Sequence, residues 1–363
     1  MFASIKNFIC RHRKKFIATG IVIGGTIMLT KYAQHKLIQW QEKEALAFLE
    51  RTRKHHHFES TEQICNQTII SLSSTLNEMI LKLLNTDELV ETLRNQTKDK
   101  LVTWEELKIR AFAKVCASVY AGAMLVIVLR IQISIIGGYM YCDSKDGCLP
   151  RITNEMQEKY LSLCQFFLTE GIKELCILIE NKVRPVLEKK SLKELISLQD
   201  VEQIFWIIQE SICADVNEPI KNFSKLFLQN DNNFDGLMKQ VMSDTAELLE
   251  SEEVISLTTS CISRGFSIAV DCIAEFFISE NDKNDMVNTQ TFKNEFGLPS
   301  HNNFTNPNKV RMPMAKLVPI VSGLFGQFSK RHNSSDNWIS NFIYMEKIKV
   351  LGANVYESFA NPI

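Results

Sequence analysis

The sequence predicts an all-α protein, an elongated helical bundle of long helices preceded by one N-terminal transmembrane helix. Three observations carry this. Glycine and proline are scarce, fourteen and eight in 363 residues, against a usual combined share of about 12 %, and sheet-rich folds draw many of their turns from those two. From Ser60 onward apolar residues recur at steps of three and four, the period of a helix with one buried face. Near the amino terminus an uncharged run, Phe16 to Thr30, follows a basic segment.

Residues 1–15 form a basic targeting tail with Lys6, Arg11, Arg13, Lys14 and Lys15 and no acid. Residues 16–33 then read as a membrane anchor whose apolar surface comes from Phe16, Ile17, Ile21, Val22, Ile23, Ile27, Met28 and Leu29. As a helix the uncharged run rises roughly 22 Å, short of the ~30 Å hydrocarbon core, so Lys31 must snorkel while Tyr32 and Ala33 extend the stretch. No small-x-small cleavage site follows, which favours a retained anchor over a removed signal peptide or an amphipathic targeting helix. Gly20 and Gly24 make a G-x-x-x-G, a weak signal for pairing of two such helices. Residues 34–57 read as a linker helix.

The domain 58–363 opens with Ser60-x-x-Gln63, read as a capping box, and the stripe Cys65, Ile69, Leu72, Leu76, Ile80 and Leu83. Asp87 to Arg94 is a short helix. Thr103-x-x-Glu106 opens a long helix with Leu107, Ala111, Val115, Val119, Val126, Leu129 and Ile133 on one side, closed by Gly137-Gly138. Its uncharged segment Val115 to Leu129 is read as a buried central helix rather than a second span, since Lys114, Arg130 and Gln132 bracket it. Leu161 to Val183 forms the next helix, interrupted or kinked at Pro185. Ser197-x-x-Asp200 precedes Val201, Ile204, Phe205 and Ile208; Val254 to Phe276 makes another long stripe; a last helix carries Trp338, Phe342, Met345, Val355 and Phe359. Residues 143–154, 217–235 and 280–313 read as loops, the last rich in Asn and Ser and read as mobile. Helical stripes resume after each loop, so one domain is expected.

The net charge of −1 argues against a nucleic-acid partner for the whole chain. The ten cysteines contain no C-x-x-C and mostly sit in apolar runs, as buried reduced thiols do. The closest pair, Cys142 and Cys148, flanks a loop and could bridge only in an oxidising compartment. P-loop, G-x-G-x-x-G, H-E-x-x-H, G-x-S-x-G and zinc-binding spacings are all missing. His55-His56-His57 point about 100° apart on a helix and cannot all face one metal. We therefore expect no catalytic residues, metal, cofactor or small-molecule substrate, and read a binding protein. Trp104, just after Lys98 and Lys100 and close to Leu93, Leu101 and Leu107, has the placement of an interface anchor, with a core or capping tryptophan as the plainer alternative.

Seven stretches fall in order along the chain: N-F-I-C-R-H-R-K-K at 7–15, H-F-E-S at 57–60, W-E-E-L-K at 104–108, M-L-V-I-V-L-R-I-Q-I-S-I-I-G-G-Y-M-Y at 124–141, C-I-S-R-G-F at 261–266, M-A-K-L-V-P-I-V at 314–321 and A-N-V-Y-E-S-F at 353–359. With them the chain resembles the peroxisomal biogenesis factor 3 family of membrane-docking peroxins, departing in regions 143–150, 209–245 and 280–312. The resemblance implies a non-enzymatic receptor, single-pass in the peroxisomal membrane and in contact with its lipid, with the bulk of the chain in the cytosol. It implies a partner, the soluble import receptor peroxisomal biogenesis factor 19, whose amphipathic N-terminal helix lies in a groove at one end of the bundle. Trp104 matches the groove's central tryptophan, Leu93 and Lys100 match neighbouring contacts, and Lys316 matches a lysine of the later segment; Leu101 and Leu107 complete the expected site. The family places the short basic tail on the matrix side, against the positive-inside rule. Readings from other classes are a two-span channel or carrier subunit, using 16–33 and 115–136, and a membrane-anchored hydrolase, for which no nucleophile–base pair can be named.

Overall fold

The computed structural model describes residues 13–95, 99–146, 150–227, 236–277, 310–330 and 338–361. It falls into two units, Met1–Glu59 and Ser60–Ile363.

Helix α1, Arg13–Leu84, supplies the described part of the first unit and continues into the second. Arg11 lies outside the described residues, as do the side chains of Arg13, Lys14, Lys15, Phe16, Ile17, Ile21, Val22, Ile23 and Ile27. Met28 and Leu29 are 78 % and 68 % exposed, and Tyr32, Leu37, Ile38, Trp40, Leu46, Phe48 and Leu49 are exposed beyond them. His55 Nε2 and His56 Nδ1 each meet a Glu59 oxygen at 3.2 Å. The helix does not restart at Ser60, since no glycine or proline near it asks for a break.

In the second unit α1 ends at Asn85, which holds a left-handed φ of 35° and accepts the Glu88 N–H on its side chain at 3.3 Å, opening α2, Thr86–Asn95. Helix α3, Lys100–Asp146, is the centre of the bundle. It packs against α2, α5 (Ile172–Leu187), α9 (Glu252–Ala274), α10 (Met314–Lys330) and α12 (Glu346–Ala360). Val115 to Leu129 is buried throughout, so this helix, long and apolar enough to cross a membrane, has its most apolar stretch covered entirely by protein. Gly137-Gly138 does not close it. A Cβ on Gly138 would lie 2.7 Å from Phe359 Cβ and 2.9 Å from the Tyr356 oxygen, so the missing side chain is what lets α12 lie against α3.

The expected helix Leu161–Val183 is interrupted earlier than Pro185. Helix α4, Asn154–Phe166, passes into a π-turn at Phe167–Gly171 before α5 begins, and α5 runs through Pro185 to Leu187. That proline forfeits only one backbone bond in the last turn. Ser197 caps α6, Leu198–Cys213, as its capping box predicts: the Asp200 N–H donates to Ser197 Oγ and Asp200 Oδ2 accepts the Ser197 N–H at 2.8 Å. Region 217–235 holds a short helix, α7, Phe223–Phe227, before α8, Leu237–Glu250. A two-stranded antiparallel ribbon, absent from the helical reading, pairs β1, Leu195–Ser197, with β2, Arg311–Pro313, in the register Ile196↔Met312. Residues 280–309 of the expected loop lie outside the described residues. The last helix is two, α11, Ser340–Ile343, and α12. The all-α expectation holds.

Candidate docking site

Helix α3 begins at Lys100, preceded by Asp99 with φ 61°. Thr103 is thus inside the first turn and not its cap: its hydroxyl donates back to the Asp99 oxygen at 3.3 Å. Trp104 accordingly sits in the second turn, half-buried against the core, as does Leu93 of α2. Lys114 of α3 donates to Thr86 Oγ1 at 3.3 Å, which fixes the start of α2 one way along α3. With α2 ending at Asn95 and α3 beginning at Lys100, Leu93 lies toward the Trp104 end.

Around Trp104, Leu101 and Val102 are 69 % and 68 % exposed, and Lys100 is exposed. Leu107 corrects the expectation of a contact residue: at 2 % exposure it belongs to the core below the tryptophan. Glu106, two residues on, receives both Arg184 nitrogens, at 2.9 and 3.2 Å, and Arg110 Nε at 2.9 Å. The Arg184 hydrogen bonds hold its carboxyl below the usual carboxylate range. Arg184 reaches Glu180 as well, at 2.6 Å.

Lys108 stands one helical turn beyond Trp104 on the same face and is 0 % exposed. Its ammonium pairs with Glu105 and donates to the main-chain oxygen of Lys190 at 2.6 Å. The segment 188–194 is thereby tied to the tryptophan's face. The same segment holds the start of α10, since Met314 N donates to the Glu194 oxygen and Ala315 N to the Leu192 oxygen, each at 2.9 Å. The exposed Lys316 follows at once. Through these bonds α3, the 188–194 segment and the start of α10 are joined, with Trp104 one turn before Lys108 and Lys316 directly after Ala315. Periodicity missed Lys108, Lys190 and Arg184, whose signal was a cation inside or beside an apolar stripe.

Among the described residues no group of metal-binding side chains occurs. The buried thiols are poor nucleophiles, burial pushing Cys65 up to about 11 and Cys164 and Cys176 to about 12. A cavity of about 550 Å³ between α5 and residues 215–226, with the Lys182–Asp215 pair at 2.6 Å, is lined by no histidine, cysteine, serine or tyrosine.

The Peroxin-3 family model matches residues 7–103, 95–145 and 149–358. Peroxisomal biogenesis factor 3 of Homo sapiens is 34 % identical over 385 residues, covering 100 % of this chain and 99 % of the relative. The Rattus norvegicus protein of the same name is 33 % identical over 384 residues, with the same coverage. Peroxisome biogenesis protein 3-1 of Arabidopsis thaliana is 22 % identical over 343 residues, covering 88 % of this chain and 89 % of its own. With family motifs along its length and full-length relatives above 30 % identity, the chain belongs to the Peroxin-3 family.

Proposed function

We propose that this peroxin is a single-pass peroxisomal membrane protein that docks the soluble import receptor, peroxisomal biogenesis factor 19, with its cargo, and so enables membrane-protein insertion and peroxisome assembly. Its anchor is 16–33, its basic tail lies in the matrix and its helical domain in the cytosol. The receptor's amphipathic helix lies across the end of the bundle with an apolar anchor on Trp104, beside Leu93 and Leu101, and with Lys100 and Lys316 at the edge.

The observation that carries this reading is the exposed pair Leu101 and Val102 beside a half-buried tryptophan, an apolar face rimmed by lysines. Helix-in-groove recognition uses such a face: it takes anchors spaced three and four residues apart, and an aromatic at its centre supplies most of the energy. Binding needs no cofactor and makes no covalent step. Complete burial of Val115–Leu129 supports one span over two.

The experiment is calorimetric titration of the receptor into the full chain in detergent, wild type against Trp104→Ala. A buried anchor is worth about 2 kcal/mol or more, so affinity should fall at least ~30-fold, with an unchanged circular dichroism spectrum. Equal binding by the two proteins removes Trp104 from the site.

A further inference from the structure

We propose that the segment 188–194 is a second, cationic wall of the docking face, which takes an acidic stretch of the docked protein through Lys189 and Lys193. This rests on the docking reading above and adds the chemistry of the partner.

Three observations converge. The segment is fixed at the tryptophan's face from both sides, by Lys108 Nζ on the Lys190 oxygen at 2.6 Å and by the two main-chain bonds to Met314 and Ala315 at 2.9 Å. It thus presents its side chains from a fixed frame. Within it the charges divide by role. Lys190 is spent on Glu194 at 2.7 Å, whereas Lys189 and Lys193 are exposed and make no ion pair among the described residues. Glu188 is the one exposed acid in the segment. Lastly, the exposed Lys316 directly follows the residue bound to Leu192, and exposed Lys100 stands at the start of α3, so the two loop lysines add to the exposed cations there and outnumber the exposed acids Glu188 and Asp99.

Exposed cations of this kind contribute little to stability. Their work is in encounter: a surplus of exposed cations steers an oppositely charged partner and penalises wrong ones, which appears in the association rate and its salt dependence more than in dissociation. A neutral amphipathic helix would meet the same apolar centre without that acceleration.

The test measures association by stopped flow for the full chain in phosphatidylcholine nanodiscs, at low and at physiological salt. Three variants are compared: Lys189→Glu/Lys193→Glu, Lys189→Arg/Lys193→Arg, and Trp104→Ala. Two probes are used, the receptor and a receptor whose acidic residues in the docking segment are replaced by Asn and Gln. The charge reversal should slow association of the acidic receptor about fivefold or more at low salt and flatten its salt dependence. The arginine variant should behave as wild type, and the amidated receptor should not distinguish the proteins. If Trp104→Ala weakens binding while the charge reversal leaves rate and salt dependence unchanged, the wall is refuted and the docking site stands. If neither variant changes binding, both readings fall. Lysine-dependent capture of phosphatidylserine vesicles, with receptor kinetics insensitive to the reversal, would assign these lysines to lipid and also refute the proposal.

Discussion

Lys108 and Lys190, 82 residues apart in sequence, are joined by an ammonium that donates to a main-chain oxygen at 2.6 Å inside the bundle. A buried cation normally costs stability unless its donors are used; here Glu105 and the Lys190 oxygen use two of them. Lys108→Met removes the charge but leaves the Lys190 oxygen without its donor. It should cost about 1–3 kcal/mol and raise amide exchange in residues 188–194, read by hydrogen-exchange mass spectrometry. Unchanged protection of that segment would show that the ribbon alone holds it.

Leu107 and Trp104 are near neighbours on α3 with different burdens. Leu107→Ala opens a cavity in the core and should lower stability by about 2–5 kcal/mol. Trp104→Ala, at a half-buried position, should lower stability far less and binding far more. Thermal melts beside titrations separate the two, and the assignment fails if the losses run the other way.

Gly138 admits no side chain without moving α12, because its neighbours include the Phe359 and Tyr356 backbone. Gly138→Ala should destabilise by about 1–3 kcal/mol and loosen the C-terminal helix, measured by denaturant titration and by proteolysis at residues 346–360. A variant as stable as wild type would mean the helices can part at no cost.

Glu106 gives a pH dependence with a definite sign. Arg184 holds its folded-state pKa below the ordinary 4.5, so the network's contribution is whole above that value and is lost as the pH falls through the folded-state value. Because the carboxylate is partly exposed, Glu106→Gln should cost only about 1 kcal/mol at pH 7. Its stability should also fall less steeply than wild type as the pH drops below about 4.5. Parallel acid curves for the two proteins would remove this pair from the stability of the site.

Asn95 opens an N-x-Thr sequon at an exposed position, whereas the Asn66 side chain is occupied by Arg130 at 2.7 Å. A cytosolic domain leaves Asn95 unmodified in cells. An endoglycosidase-sensitive mass shift lost in Asn95→Gln would put the domain in a secretory lumen and reverse the proposed topology.

Local signals were legible where a helix face and a short cap decide the outcome. The central helix, the short helix before it and the Ser197 cap follow from spacing and hydrogen-bonding groups within four residues of one another. The misreadings come from non-local competition. Ser60 and Thr103 have cap chemistry, but no glycine or proline directly before either one stops a helix that has already begun. The β-ribbon joins strands whose three-residue lengths carry no periodicity, and Gly138 answers to a helix more than 200 residues later while Gly137 answers to Thr61 of α1. At the site, the aromatic and its flanking lysines could be found from charge and position along the chain. The 188–194 segment could not, because its place depends on a buried lysine whose partner is a backbone oxygen, and no side-chain pattern encodes that.

The cover of α3 also sets a schedule for making the protein. The central helix, with a mean hydropathy of 2.1 in its most apolar stretch, is complete at Asp146, while the helix that packs on Gly138 begins only at Glu346. A ribosome therefore releases a segment as greasy as a membrane span long before its last cover is translated. Throughout that interval the apolar helix lacks the C-terminal helix that packs on Gly138, and a premature stop after Lys330 would leave it without that cover for good.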